Sequence, residues 1–261
     1  MAEAPVPFRG GGFAPRRIRF AGLAAAAALL AAWWLAAGSG WASPVFLPHP
    51  REVASAFWAM TVSGELWGHV SASLRRFLGG FALGGSLGIA AGVAIGLSSL
   101  ARSTGIPVIS ALFPIPKIAL LPLFILWFGI GEGSKIATIA FGTFFPMAIA
   151  TYGGVDGVDR TLIRMGQSFG LSSAAMIRGI ILPGAVPAIL SGARIASSIG
   201  IVLLVAAEMI GAREGLGALV LAAGNLMSID RLLAGVVALS LLGLTVAFGI
   251  GKLEKRLLSW R

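Results

Sequence analysis

The sequence predicts an all-α, polytopic membrane protein with six transmembrane helices and one long cytoplasmic connection, and three observations carry that prediction. Of the 261 residues, 57% are hydrophobic and 11% charged, with a mean hydropathy of +0.92. Ordinary globular chains carry about 25% charged residues, and an apolar excess this large needs lipid as solvent. The apolar residues also gather into six runs that approach or exceed the roughly 20 residues a membrane helix needs. Lys and Arg, which leave a net charge of +10, lie in short clusters between those runs. That placement follows the positive-inside rule and points to membrane orientation, not to nucleic acid. With no cysteine in the chain, disulfides, Cys-ligated zinc and thiol catalysis are excluded.

The six runs are 18–37, 77–97, 106–130, 136–152, 195–210 and 232–250. Residues 1–17 read as a cytoplasmic tail and 18–261 as a single transmembrane domain. The first run has a basic start, as a signal peptide would. It is longer than the usual 7–15 residues and ends at Trp33, Trp34 and Trp41, an interfacial aromatic belt, so a retained span is expected. Residues 50–76 are too polar to cross. Leu66, Val70, Leu74 and Leu78 recur every four residues, with His69, Ser73 and Arg76 on other faces, which predicts helices lying in the outer interface.

The third run carries Pro107, Pro114, Pro116 and Pro122 and is expected to be kinked, since each proline removes a backbone donor. The glycine-rich segment "GIGEGSK" after it is a tight outer turn; no Ser or Thr follows Lys135, so it is not a phosphate-binding loop. With a cytoplasmic N-terminus, the inside segments hold Arg9, Arg16, Arg17, Arg19, Arg102, Arg160, Arg164, Arg178, Arg194, Lys252, Lys255, Arg256 and Arg261. The outside segments hold only Arg51, Arg75, Arg76, Lys135, Arg213 and Arg231. Both termini are therefore expected inside. The two histidines, His49 and His69, have no second ligand nearby in sequence, so no metal site is expected. No catalytic motif is present, and "LSGAR" at 190–194 sits beside a span with no nucleotide-binding loop anywhere, so the chain is not expected to hydrolyse ATP.

The longest cytoplasmic connection, about 153–192, has its own local signals. Gly170 suits the residue after a helix end, Ser172 and Ser173 suit N-caps, and Pro183 and Pro187 are expected to end a short helix before the fifth span. Phe169, Leu171, Met176, Ile177 and Ile180 then form an apolar surface that needs lipid or a groove on a partner.

The spacing of Gly170, nine residues, Ile180, one residue, Leu182 and Pro183 is similar to the EAA signature of ABC importer permeases, E-A-A-x-x-x-G-x9-I-x-L-P. The helix of that signature docks into a groove on a cytoplasmic ATPase. The E-A-A positions here are Arg164, Met165 and Gly166, a departure from the pattern. "LPHPREV", "HVSASLRRFLGGFALG", "PIPKIALLPLFILWFGIGEGSKI", "GVDGVDR", "LPGAVPAILSGARI", "AAEMIGAREGLG" and "LEKRLLSW" resemble the nitrate, sulfonate, taurine and bicarbonate branch of these permeases, over about 47–260.

The resemblance implies the type I importer permease architecture: a homodimer of six-span subunits in the bacterial inner (plasma) membrane. It also implies two copies of a cytoplasmic ATP-binding subunit that hold ATP and Mg, and an extracytoplasmic solute-binding protein. This chain itself would bind no cofactor. The ATPase-coupling residues implied are Arg164, Met165, Gly166, Phe169, Gly170, Leu171, Met176, Ile180, Leu182 and Pro183. The solute is expected to be a small anion such as taurine, an aliphatic sulfonate or nitrate. The rivals are an uncharged or cationic heterocycle carried by the same kind of permease, or an ion-gradient carrier without an ATPase. A carrier of that kind is built from internal repeats, and none is convincing here.

Within the spans, Glu208 would cost roughly 2.5–3.5 kcal/mol near a helix centre unless paired or hydrated. It is either functional or neutralised by Arg213 at the outer interface. Lys117, beside Pro114 and Pro116, either faces a hydrated path or snorkels to the interface. Together with Arg194 it would lower the barrier for an anion. Met209 and Asn225 complete the expected substrate path.

Overall fold

The computed structural model describes residues 20–40, 43 and 46–259, and all regular structure among them is helical. The 1–17 tail, the start of the first span at 18, Arg9, Arg16, Arg17, Arg19, Trp41, Trp260 and Arg261 lie outside the described residues. The chain divides into two compact units, 1–54 and 55–261.

In the first unit, α1 (Ala21–Gly38) has no buried residue, as suits an Ala- and Leu-rich helix that is apolar on every side. Its C-terminal turns are tied to the segment after it. Trp33 Nε1 donates to the Pro48 carbonyl at 3.2 Å, the Trp34 ring meets His49 edge-on at 4.2 Å, and the Arg51 guanidinium lies 5.0 Å over Trp34. Glu52 caps the start of α2 (Pro50–Val62) by accepting from the His49 amide at 2.9 Å.

In the second unit, α3 (Glu65–Leu97), α6 (Glu132–Asp156) and α9 (Leu182–Gly211) form the packed centre. Phe77, Ile139 and Leu204, one from each helix, are fully buried together. The close approach of α3 to α6 rests on glycines four residues apart. A β-carbon at Gly80 would lie 2.5 Å from that of Ile139, and one at Gly88 would lie 2.7 Å from that of Met147. Gly84 and Gly92 meet α6 in the same way. Lipid offers apolar helices no reason to associate for hydrophobicity alone, so small residues that let backbones touch supply the attraction.

Among the described residues, five helices or continuous helical stretches are long and apolar enough to cross a membrane: Ala21–Gly38, Glu65–Leu97, Glu132–Asp156, Ser173–Gly211 and Ile229–Leu257. The last of these is α11. Counted as one broken span, α4 (Ser99–Leu112) with the 3-10 turn Lys117–Leu120 and α5 (Leu121–Phe128) makes a sixth, bent by 90° at its break. The helical segment around the third run thus starts before 106, at Ser99, and is broken, not merely kinked. Pro114 and Pro116 occupy the break, where neither can donate a helix hydrogen bond. Pro122 is tolerated in the first turn of α5.

Two further expectations are corrected. Residues 65–76 do not form a separate interfacial helix but the first three turns of α3, and Ser73 and Arg76 are buried, not on a wet face. Pro183 and Pro187 end no helix. The helix runs on from α8 (Ser173–Met176) through a π turn (Ile177–Ile181) into α9, with Pro183 in its first turn and Pro187 inside it. The short α7 (Arg160–Ser168) and α10 (Leu216–Asn225) complete the unit.

Candidate functional site

Two places on the second unit stand out, one at each end of α9. The first is the hairpin between α6 and α9. Asp156, the last residue of α6, pairs with Arg102 at 2.7 Å, and the Arg102 guanidinium lies 5.5 Å over the Tyr152 ring. Asp159 then caps α7 by accepting from the Thr161 amide at 2.7 Å. That bond favours the carboxylate form and holds its pKa below the ordinary value.

At the other end of α7, Gly170 takes the left-handed conformation at φ 69°. Its amide donates to the Gln167 carbonyl and the Leu171 amide to the Gly166 carbonyl, both at 3.0 Å. These are the two bonds of a Schellman stop, which needs a residue free of a β-carbon at Gly170. Ser172 caps α8 by accepting from the Ala175 amide at 3.3 Å.

The hairpin closes on Gly166. A β-carbon there would lie 2.9 Å from both Met176 Sδ and Ile180 Cδ1, and 3.2 Å from Leu171 Cδ1. Met176 is accordingly buried and Ile180 partly buried, so these two hold the hairpin together and are not part of an exposed face. The apolar side chains left outside are Leu162, Met165, Leu171 and above all Phe169, which is 76% exposed. Arg164 is exposed beside them, and Leu182 and Pro183 form the partly buried first turn of α9.

The second place is a buried polar cluster at the far end of α9. Glu208 is 1% exposed. Its carboxylate accepts from Ser73 Oγ at 2.8 and 2.9 Å, from Arg76 Nη1 at 2.8 Å and from the Gly217 amide at 2.9 Å. Arg76 also donates to the Glu214 carbonyl and forms a two-pronged pair with Glu132 at 2.6 and 2.8 Å. Ser73 Oγ accepts from the Leu216 amide at 2.8 Å, and His69 Nδ1 lies 3.0 Å from the Gly215 amide. Gly215, at φ 133°, presses its Cα so close to the Glu208 carboxylate that a β-carbon would collide with it. The first amides of α10, which have no partner inside their own helix, are thereby satisfied from α3 and α9.

Glu208 is therefore paired with Arg76, not with Arg213 as the sequence alone allowed. Ser73, Arg76 and Glu132 went unread as a site. The signal was a Ser and an Arg three residues apart at the start of an apolar run, with two acids elsewhere at apolar boundaries.

The other expected path residues are scattered. Lys117 stands at the 90° break, donating to the Phe113 carbonyl, with its ammonium 4.7 Å over the Phe113 ring and 5.2 Å over Phe145. Arg194 pairs with Glu254 of α11. Met209 is exposed, and so is Asn225 at the end of α10. Among the described residues no hydrogen bond or ion pair links Lys117, Arg194 and Glu208, and no three acidic or His side chains gather as a metal site.

A bundle of membrane-length helices, knit by glycines and carrying a short helical hairpin on one end, defines a multi-pass helical membrane protein. The chain belongs to the family described as binding-protein-dependent transport system inner membrane component, whose model matches residues 84–259. It is similar to the taurine transport system permease protein TauC of Escherichia coli (strain K12), 39% identical over 90% of this chain and 87% of that one. It is similar to the putative aliphatic sulfonates transport permease protein SsuC of the same organism, 39% identical over 89% and 88%. In fold it is similar to a chain of the MetNI methionine ABC transporter in an inward facing conformation. The TM-score is 0.62 at 21% identity, covering 72% of this chain and 94% of that one. The chain is thus the inner-membrane permease subunit of an ABC importer, a transport component, and an independent ion-gradient carrier is set aside.

Proposed function

We propose that this permease carries small sulfonates such as taurine, as one half of a homodimer. Two cytoplasmic ATP-binding subunits, which hold ATP and Mg, dock on its 160–181 hairpins, and an extracytoplasmic binding protein delivers the solute. Both termini and the hairpin lie on the cytoplasmic side in this reading. The names of its relatives support the solute class, and Lys117 at the break of the third span supports an anion.

The observation that carries the coupling role is the exposed apolar rim of Phe169, Met165, Leu162 and Leu171 on a hairpin locked from within by Gly166, Met176 and Ile180. Apolar side chains presented by short, internally braced helices are what a partner groove accepts. Arg164 stands in that rim where the family signature has Glu, so the ATP-binding subunit is expected to offer it an acid. A push on the rim has a stiff lever to act on, because helix continues without a break from Ser173 to Gly211 and ends in the Glu208 cluster. Met209 and Asn225, near that end, and Arg194, midway, are then carried along as the bundle alternates its access.

The test is ATP-driven taurine uptake into liposomes holding the permease, its ATP-binding subunit and its binding protein. Gly170→Pro breaks the Schellman stop and misdirects the rim without touching a span. It is expected to insert normally and lose uptake; normal uptake would move the coupling elsewhere. Uptake of a solute that carries no sulfonate or other anionic group, in place of taurine, would refute the sulfonate assignment alone.

A further inference from the structure

An open cavity of about 660 Å³ lies between α9 and the last turns of α11, lined among others by Arg194, Phe248, Gly251, Lys252, Glu254 and Lys255. Glu254 is the one acid of its lining, and it is engaged by Arg194. Lys252 and Lys255 are exposed and leave the cavity positive, and Lys252 rests 4.7 Å over the Phe248 ring. Around Gly251 the wall borders open space, with nothing within 4 Å of where a β-carbon would stand.

The cavity is one end of a longer feature. Val237, Leu241, Leu244, Phe248, Lys252 and Lys255 follow one another at intervals of four, three, four, four and three residues, which places them on a single face of α11. The first four are all exposed apolar side chains. Leu241, about 16 Å along the helix from Lys252, also lines an apolar groove with Leu66, Trp67, Val70 and Leu74.

We propose that this face binds an anionic phospholipid, with Lys252 and Lys255 on its phosphate and an acyl chain along Phe248, Leu244 and Leu241. A soluble anion would use the positive cavity but not the apolar track, and a zwitterionic lipid would gain nothing from the two lysines. A second copy is disfavoured as the occupant. Parallel self-pairing of this face about a twofold axis would set Lys252 and Lys255 against themselves. The cations that follow the last apolar run thus grip the membrane they lie in as well as orient it.

The test is native mass spectrometry of the full-length chain in detergent, titrated with palmitoyl-oleoyl phosphatidylglycerol and, separately, the matching phosphatidylcholine. Phosphatidylglycerol is expected to bind more tightly. The double variant Lys252→Gln and Lys255→Gln should weaken it about thirtyfold, at roughly one near-surface cation's worth per lysine, and leave phosphatidylcholine unchanged. Lys252→Arg with Lys255→Arg should bind as the native chain does. Both lysines are exposed, so neither pair of changes threatens folding. Equal binding of the two lipids, or no loss in the Gln variant, would overturn the proposal. Displacement of phosphatidylglycerol by excess inorganic phosphate would reassign the cavity to a free anion.

Discussion

The two ends of α9 are built on opposite plans. At the Glu208 end, Arg76, Ser73 and Glu208 are buried and answered from within: Arg76 by the Glu208 carboxylate, the exposed Glu132 carboxylate and a carbonyl, Glu208 by a guanidinium, a hydroxyl and an amide. At the hairpin end, the polar groups are ordinary caps and the apolar ones face outward, with only Gly166, Met176 and the Val158 turn buried. A membrane interior punishes an unanswered charge and tolerates an exposed Leu; water does the reverse. The first end is therefore answered within one chain, whereas the second leaves Phe169 and Met165 exposed.

That contrast is broken most forcefully at Arg76. Arg76→Met strands Glu208 as a buried carboxylate and leaves the Glu214 carbonyl without its donor. It is expected to cost about 3–5 kcal/mol of stability, measured by chemical unfolding of the full chain in mixed micelles. The double variant Arg76→Met with Glu208→Met removes both charges and should recover at least about 2 kcal/mol of that loss, a coupling a double-mutant cycle reads directly. A single variant as stable as the native chain would mean that the cluster binds the helices together no more than its apolar surroundings do.

How far each end could be read from the sequence follows the same division. The hairpin was legible because its signals are local. Gly170 stops α7 and Ser172 caps α8 where turn chemistry places them, and the apolar run around Phe169 is visible in a polar stretch. The Glu208 cluster was half legible. Glu208 announces itself as an acid in an apolar run, but its partner Arg76 lies 132 residues away, and nothing local chooses it over the nearby Arg213. The four-residue repeat of Leu66, Val70, Leu74 and Leu78 predicts that His69, Ser73 and Arg76 lie off the apolar face, yet Ser73 and Arg76 are buried because partners on α6, α9 and α10 answer them.

The helices also run beyond the apolar runs: α3 begins at Glu65 and α6 at Glu132, where exposed carboxylates pair with Arg231 and Arg76. The glycine ladder of α3 could have been found from its spacing, since Gly80, Gly84, Gly88 and Gly92 repeat every four residues in an apolar helix. The unbroken passage through Pro183 could not, because proline normally predicts an end and only the π turn before it shows that the helix goes on.

A smaller effect sharpens the picture of the hairpin. Gly166 is buried in the hairpin, and its neighbours are the flexible ends of Met176 and Ile180. Those ends can give by a few tenths of an ångström, so Gly166→Ala should change stability by less than about 0.5 kcal/mol, its contact cost offset by the better helix propensity of Ala. Gly166→Leu overfills the same space and should cost about 1–3 kcal/mol. The loss should be read out as early hydrogen exchange in 160–181, with the spans unchanged. Equal behaviour of the two variants would mean that α7 is not held against α8 and the π turn.

The smallest effect on the fold, and the one that separates the two ends most cleanly, is expected at Phe169. With its ring 76% exposed, Phe169→Ala removes almost no packing within the chain and should shift unfolding by less than about 0.5 kcal/mol. If the rim is the seat of the ATP-binding subunit, the same change removes a central aromatic anchor. Such anchors are worth about 2 kcal/mol or more on truncation, about a thirtyfold rise in Kd. Both quantities can be measured on one preparation in nanodiscs, unfolding for the first and equilibrium binding of the ATP-binding subunit for the second. Arg76→Met should show the opposite pattern, a large loss of stability with hairpin binding intact in whatever fraction remains folded. An unchanged Kd for Phe169→Ala would place the dock on Leu162 and Met165 instead, whereas a large loss of stability would mean that Phe169 is packed within its own chain and that the hairpin, like the Glu208 end, is complete without a partner.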